Sequence, residues 1–167
     1  MWLAVGFVFQ PKWTEQIHDE WMENVLEHRP ELSRAALERT RDLMNQWGHD
    51  WTCTGYSTVL PTLSLPDPDD THVLAAAIAS NAPYLVTFNL ADFPESALIP
   101  YGVRPIHPDT FALLLLEESP DLICDAIRRH RATLKAPPRS IEQYLERLAR
   151  CGLPRTAARL REERSNL

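Results

Sequence analysis

Four acidic residues in two short stretches are the part of this chain best suited to chemistry. Asp67, Asp69 and Asp70 crowd the run LPDPDDTHVLAAAIA, and Asp92 lies in TFNLADFP, just past a short apolar segment. Carboxylates gathered in one place offer hard oxygen ligands, the kind that hold Mg2+ or Mn2+. Without an ion they repel and raise one another's pKa; a cation relieves that repulsion and can activate water. Such a site needs at least one further carboxylate from elsewhere in the chain. The same acids also have a plain structural use. Asp67, Asp69 and Asp70 would be stabilised by the dipole at a helix start, and Asp92 suits a turn. Spacing alone leaves both readings open.

The elements that must position these groups can be read from caps and periodicity. Asp67 is expected as an N-cap, with Pro68 at the first helical position and Val73, Leu74, Ala77 and Ile78 on one buried face. Asn81, Ala82 and Pro83 stop that helix. Tyr84 to Phe88 is a continuous apolar run that predicts a strand buried on both faces. Asn89 and Asp92 follow its carboxyl end, where open α/β sheets place their ligands. Upstream, Thr14 caps a helix to about His28 whose buried face would use Ile17, Trp21 and Val25. Glu20 borders that face and can reach inward, although it sits among Glu15, Asp19, Glu23 and Glu27 on what could equally be a solvated side.

The remaining elements look architectural. Ser33 starts a helix with Leu37, Thr40, Met44 and Trp47 on one face and Gly48 as terminator. Trp51 to Tyr56 suits a short strand. Val103 to Ile106 predicts a second parallel strand, after which His107, Pro108 and Asp109 open a helix to Leu116, with His107 as its cap. Ser119, Pro120 and Asp121 open another, with Leu122, Ile123, Ala126, Ile127, His130 and Leu134 as its stripe. Ser140 and Gln143 form a capping box, Cys151 to Leu153 end that helix, and Pro154 opens the last. At the start, Gly6 suits a helix C-cap and Phe7 to Phe9 a short buried strand.

Composition narrows the classes. Three cysteines form no C-x-x-C pair, which argues for reduced thiols and against a zinc site. Five glycines make no G-x-G-x-x-G or Walker loop, so nucleotide-cofactor chemistry is disfavoured. The apolar start is far short of the roughly 20 residues of a membrane span. A net charge of −6 hides an asymmetry: residues 119–167 hold 11 of the 17 Lys and Arg but only 6 of the 23 Asp and Glu. A basic tail on an acidic body can place a polyanion beside a metal site. It can equally be a solvated helical pair. Arg128, Arg129 and Arg131 are its densest basic spot, able to meet RNA phosphates or an acidic partner.

Taken together, D-D-x-x-V-L-A-A-A-I at Asp69 to Ile78 and A-x-Y-L-V-T-F-N-x-x-D-F-P at Ala82 to Pro94 resemble the carboxyl half of a PIN domain. The closest resemblance is to the VapC-type ribonuclease toxins of bacterial toxin–antitoxin pairs, and it extends back through WTEQIHDEW at Trp13 to Trp21. It implies an α/β fold, a three-layer α/β/α sandwich with a central parallel sheet in residues 1–118, followed by a basic helical extension in residues 119–167. It implies a cytoplasmic, Mg2+- or Mn2+-dependent ribonuclease with RNA as substrate, a cognate antitoxin protein as partner and a homodimer as its assembly. By resemblance Glu20, Asp70 and Asp92 are the metal ligands, Asp69 and Asn89 line the rim, and Thr87 helps hold the site. One departure stands out. The family's opening strand ends in an Asp, and nothing before Glu15 is acidic here. An upstream start, a strand supplied by a partner, or a decayed gene product would each account for that. The alternative function is therefore a non-catalytic PIN-like module that binds RNA or an antitoxin through the basic tail.

Overall fold

A computed structural model describes residues 8–46, 48, 50–135 and 137–163 of the chain. The expected cap at Gly6 and the lipophilic start to Phe7 lie outside these residues, as does Trp47. Two compact units are present. One comprises Pro11–Leu85 with Ala91–Pro105; the other comprises Met1–Gln10, Val86–Leu90 and Ile106–Leu167. No helix of the described residues is long and apolar enough to cross a membrane.

The first unit opens with α1, Glu15–His28, capped by Thr14, whose hydroxyl accepts the Ile17 N–H at 3.1 Å. The buried face of α1 differs from the expected one: His18 and Met22 are fully buried, and Ile17, Trp21 and Val25 are half-buried. A polar network explains the rotation. Asn45 on α2, Arg34–Gln46, accepts from Trp13 Nε1 at 2.8 Å and lies 3.1 Å from His18 Nε2. Trp21 Nε1 donates to His18 Nδ1 at 2.9 Å, so the neutral ring carries its proton on Nε2 and can donate it to Asn45. Every polar atom of the buried imidazole is thus satisfied, which lets a histidine take a core position. Trp13 also forms a parallel bridge with Thr52, through Trp13 N–H to Trp51 C=O at 3.0 Å and Cys53 N–H to Trp13 C=O at 2.7 Å. Only that bridge stands where a strand from Trp51 to Tyr56 was expected.

Next come a 3-10 turn, Pro68–Asp70, and α3, Thr71–Ala79. Helix α3 buries His72, Leu74, Ala75, Ala76 and Ala77, so small residues let it pack on more than the single expected stripe. Its core partners include Leu65, Leu85, Phe93, Leu98 and Val103, each burial contributing roughly 1.5–3 kcal/mol for the larger side chains. Strand β1, Tyr84–Val86, pairs with β2, Arg104–Ile106. Arg104 N–H to Pro83 C=O and Thr87 N–H to Ile106 C=O, both 3.0 Å, set the parallel register. Only Leu85 of β1 is buried; Tyr84 and Val86 are exposed, and so is Phe88 beyond the strand. The expectation of a strand buried on both faces fails because only one named strand flanks it among the described residues. A short helix α4, Glu95–Leu98, lies between the strands in sequence.

The second unit is helical: α5, Pro108–Glu118, α6, Pro120–Thr133, α7, Ile141–Arg150, and α8, Pro154–Glu162. His107 caps α5, its Nδ1 accepting the Asp109 N–H at 3.1 Å. The capping box on α7 is complete, with Gln143 N–H to Ser140 Oγ at 3.2 Å and Ser140 N–H to Gln143 Oε1 at 3.0 Å. Leu115, Leu116, Ile123, Ile127, Leu145 and Leu160 form the core, with Val8 and Phe9 packed on it, although those two residues are not in a strand. Leu122, expected in the α6 stripe, is instead exposed. It precedes the buried pair Ile123 and Cys124, which turn inward in its place. Helix α8 is anchored from outside itself: Asp109 Oδ1 accepts Thr156 N–H at 2.9 Å and Thr156 Oγ1 at 2.7 Å, and Asp109 Oδ2 accepts Arg155 N–H at 3.0 Å.

Candidate functional site

The acidic stretch forms its site through local backbone rules. Asp67 is extended and accepts the Asp69 N–H at 2.9 Å, which caps the 3-10 turn. Pro68 supplies no N–H and its fixed φ suits the first position. In a 3-10 turn, side chains three apart eclipse, so Asp70 stands over Asp67. Asp92 comes from the turn after β1, held in place by buried Phe93 and by Pro94 at the start of α4. Ligand oxygens of Asp67, Asp70 and Asp92 all lie within 4.8 Å of one another, with Asp67 exposed and the other two half-buried.

The electrostatics agree with the geometry. Burial raises the Asp70 pKa above the usual carboxylate range, and the charges of Asp67, Asp92 and Glu20 raise it further, while His72 opposes them. Mutual repulsion of this kind is what a cation relieves. Oxygens bound to one Mg2+ at about 2.0–2.1 Å are at most about 4.2 Å apart, so only small side-chain rotations separate this triplet from a ligand set. The donors are all carboxylate, which fits Mg2+ or Mn2+ and not a thiolate-loving metal.

The structure brings some of the expected site residues together and leaves others apart. Asp70 and Asp92 are in the triplet. Glu20 is close enough for its charge to act on Asp70, but its Oε1 is held 2.7 Å from His72 Nε2 and is not within the triplet's span. Asp69 is exposed, its backbone used in the cap. Thr87 and Asn89 belong to the other unit, where Thr87 Oγ1 accepts the Asn89 N–H at 3.1 Å and shapes the turn after β1. In the tail, Arg128 and Arg129 lie 3.5 and 2.7 Å from Asp125, exposed but held to their own helix, and Arg131 is half-buried.

Two residues stand at the site beyond the ligands that the resemblance implies. Asp67, one of the four acids in the motif stretches and expected as a cap, joins the triplet, and its three-residue offset from Asp70 is the available signal. His72 gave a weaker one, two residues beyond Asp70 in the first turn of α3. It is only 3% exposed. Its Nε2 is near Glu20 but not aligned for a hydrogen bond, and Nδ1 has no partner among the described residues. A buried polar group left so costs about 1–3 kcal/mol.

A family model described as PIN domain matches residues 7–91, and a second, described as VapC50 C-terminal domain, matches residues 108–162. The chain therefore belongs to the PIN-domain family, as the acidic motifs and the apolar run leading into Thr-Phe-Asn implied. Among curated proteins it is similar to "Putative ribonuclease VapC50" of Mycobacterium tuberculosis (strain ATCC 25618 / H37Rv), with 52% identity over 44 residues. That match covers 26% of this chain and 26% of the relative. No solved structure gives a significant match.

Proposed function

We propose that this chain is a divalent-metal-dependent endoribonuclease of the VapC toxin type, and that Asp67, Asp70 and Asp92, with Glu20 beside them, bind its Mg2+ or Mn2+. The observation that supports this most is the convergence of three carboxylates within 4.8 Å, with the pKa of Asp70 raised. PIN-domain membership and the name of the relative support the reaction class. When bound, the metal supplies Lewis-acid polarisation of a phosphodiester and a more acidic water. Asp70 and Asp92, half-buried, give the fixed part of the ligand set, and exposed Asp67 leaves the site open to a long polymer. RNA is the substrate class and a cognate antitoxin protein the inhibitor.

In this reading the basic stretch of residues 119–167 draws in the polyanion, with Arg128, Arg129 and Arg131 on it. RNA cleavage with Mn2+, by the wild type and by Asp70→Asn, tests the reading. Cutting that needs both metal and Asp70 supports it. Metal-dependent cutting that persists in Asp70→Asn refutes the site. Salt-sensitive RNA binding with no cutting at any metal concentration supports the non-catalytic module instead.

A further inference from the structure

The sequence puts Glu20 on a helix face shared with four other acids, and nothing in its spacing holds it toward the metal-binding triplet. A glutamate there has three rotatable side-chain bonds and, at 47% exposure, a choice of solvated rotamers. The structure places one buried group against it. His72 Nε2 is 2.7 Å from Glu20 Oε1, and the imidazole is buried in the first turn of α3, two residues from Asp70.

No hydrogen bond among the described residues accounts for the burial of His72. Neither ring nitrogen makes an aligned hydrogen bond among the described residues. The contrast with His18 is instructive: that equally buried ring has both nitrogens satisfied by Trp21 and Asn45. A buried polar group without an aligned hydrogen bond calls for an account, and a role at a catalytic or ion-binding site is one that such groups can have. Here the nitrogen meets a carboxylate whose charge already acts on Asp70.

We propose that His72 is a positioning residue: its buried imidazole holds the Glu20 carboxylate at the edge of the Asp67, Asp70 and Asp92 cluster, so that a flexible side chain enters the metal's ligand set already oriented. Groups behind a ligating carboxylate fix its orientation, and their loss typically costs about 10- to 100-fold in metal affinity. His72 itself binds no metal and touches no substrate. The inference rests on the metal-site reading above.

Isothermal titration with Mn2+ separates the two. The wild type, His72→Leu, His72→Gln, Glu20→Gln and the double variant Glu20→Gln with His72→Leu are compared, each checked for wild-type circular dichroism. His72→Leu has a similar volume and no polar atom, and it should weaken Mn2+ binding about 10- to 100-fold. His72→Gln keeps a donor and should recover most of the loss. In the Glu20→Gln background, His72→Leu should change affinity by no more than about twofold, because its effect passes through Glu20. Glu20→Asp is exposed and leaves the core untouched, so it serves if His72→Leu does not fold; drawn back from His72, its carboxylate should bind Mn2+ about tenfold more weakly. Wild-type affinity in a folded His72→Leu or in Glu20→Asp overturns the proposal, as does an equal loss in both backgrounds. Binding that vanishes in Asp70→Asn but survives in His72→Leu overturns it while leaving the metal site standing. A folded wild type that binds no Mn2+ overturns both.

Discussion

Replacing Asp109 by Asn changes one heavy atom and should cost the second unit much of its stability. The Asp109 carboxylate is 3% exposed and accepts three donors: Thr156 N–H, the Thr156 hydroxyl and Arg155 N–H, at 2.7 to 3.0 Å. These fasten the start of α8, whose first N–H groups have no partner within the helix. An amide has one oxygen, so Asn can serve Thr156 through Oδ1 while its NH2 faces the Arg155 N–H, donor against donor. One charge-assisted bond is lost, about 1.5–3 kcal/mol, and a donor is left poorly satisfied, for a total of about 2–4 kcal/mol. At roughly 2–4 °C per kcal/mol for a chain of this size, Tm should fall by about 5–15 °C. The pH dependence carries a second signature. Burial pushes the Asp109 pKa up, but the Thr156 hydroxyl and the two N–H groups outweigh it and hold it below the usual range. A depressed acid contributes stability that is fully present above the unfolded pKa of about 4 and is lost as pH falls through the folded value. The wild type should therefore lose stability below about pH 4 through this group, and Asp109→Asn should lack that part of the slope. Thermal melts from pH 2 to 7 measure both. A Tm within about 2 °C of wild type at pH 7 would refute the reasoning, since it corresponds to less than about 1 kcal/mol.

Gly152, at φ 86°, ends α7, and a Cβ there would stand 2.6 Å from Phe88 Cε1; Gly152→Ala should destabilise the chain by about 1–3 kcal/mol in urea melts. Asp70→Asn removes a carboxylate whose pKa is raised by burial and by Asp67, Asp92 and Glu20. A raised acid loses its stabilising protonation as pH increases, so at pH 7 without metal the Asn variant should melt higher than wild type, and Mn2+ should raise the Tm of the wild type alone. Converting Arg128 and Arg129 to Ala should flatten the dependence of RNA binding on salt by about one to two units of log–log slope; an unchanged slope would mean that Asp125 already occupies both groups.

Much of the local structure was legible because caps are local. Thr14, His107 and the Ser140–Gln143 box act within four residues, and each does what its spacing implied. The parallel pairing of β1 and β2 followed from two apolar runs around an intervening turn. Buried faces were less legible. The apolar period pointed to Ile17, Trp21 and Val25, whereas the core takes His18, because Asn45 and Trp21, distant or unweighted in a hydrophobic count, satisfy its ring. The candidate site shows the same division. Asp70 and Asp92 were readable from motif and turn. Asp67 looked spent as a cap, and only the eclipsed geometry of the 3-10 turn sets it against Asp70. The Asp109 anchor joins residues 47 apart to Thr156, and no local rule could announce it.

The most direct test of the account is the rate of RNA cleavage as a function of Mn2+ for the wild type and Asp92→Asn, with EDTA as the blank. A saturable rise is expected for the wild type, none with EDTA, and for Asp92→Asn at least a tenfold higher half-saturating Mn2+ or no cleavage, since losing a ligand should cost no less than the about 10- to 100-fold lost with a group that only orients one. Cleavage that is indifferent to EDTA, or the same Mn2+ curve from both proteins, would contradict it.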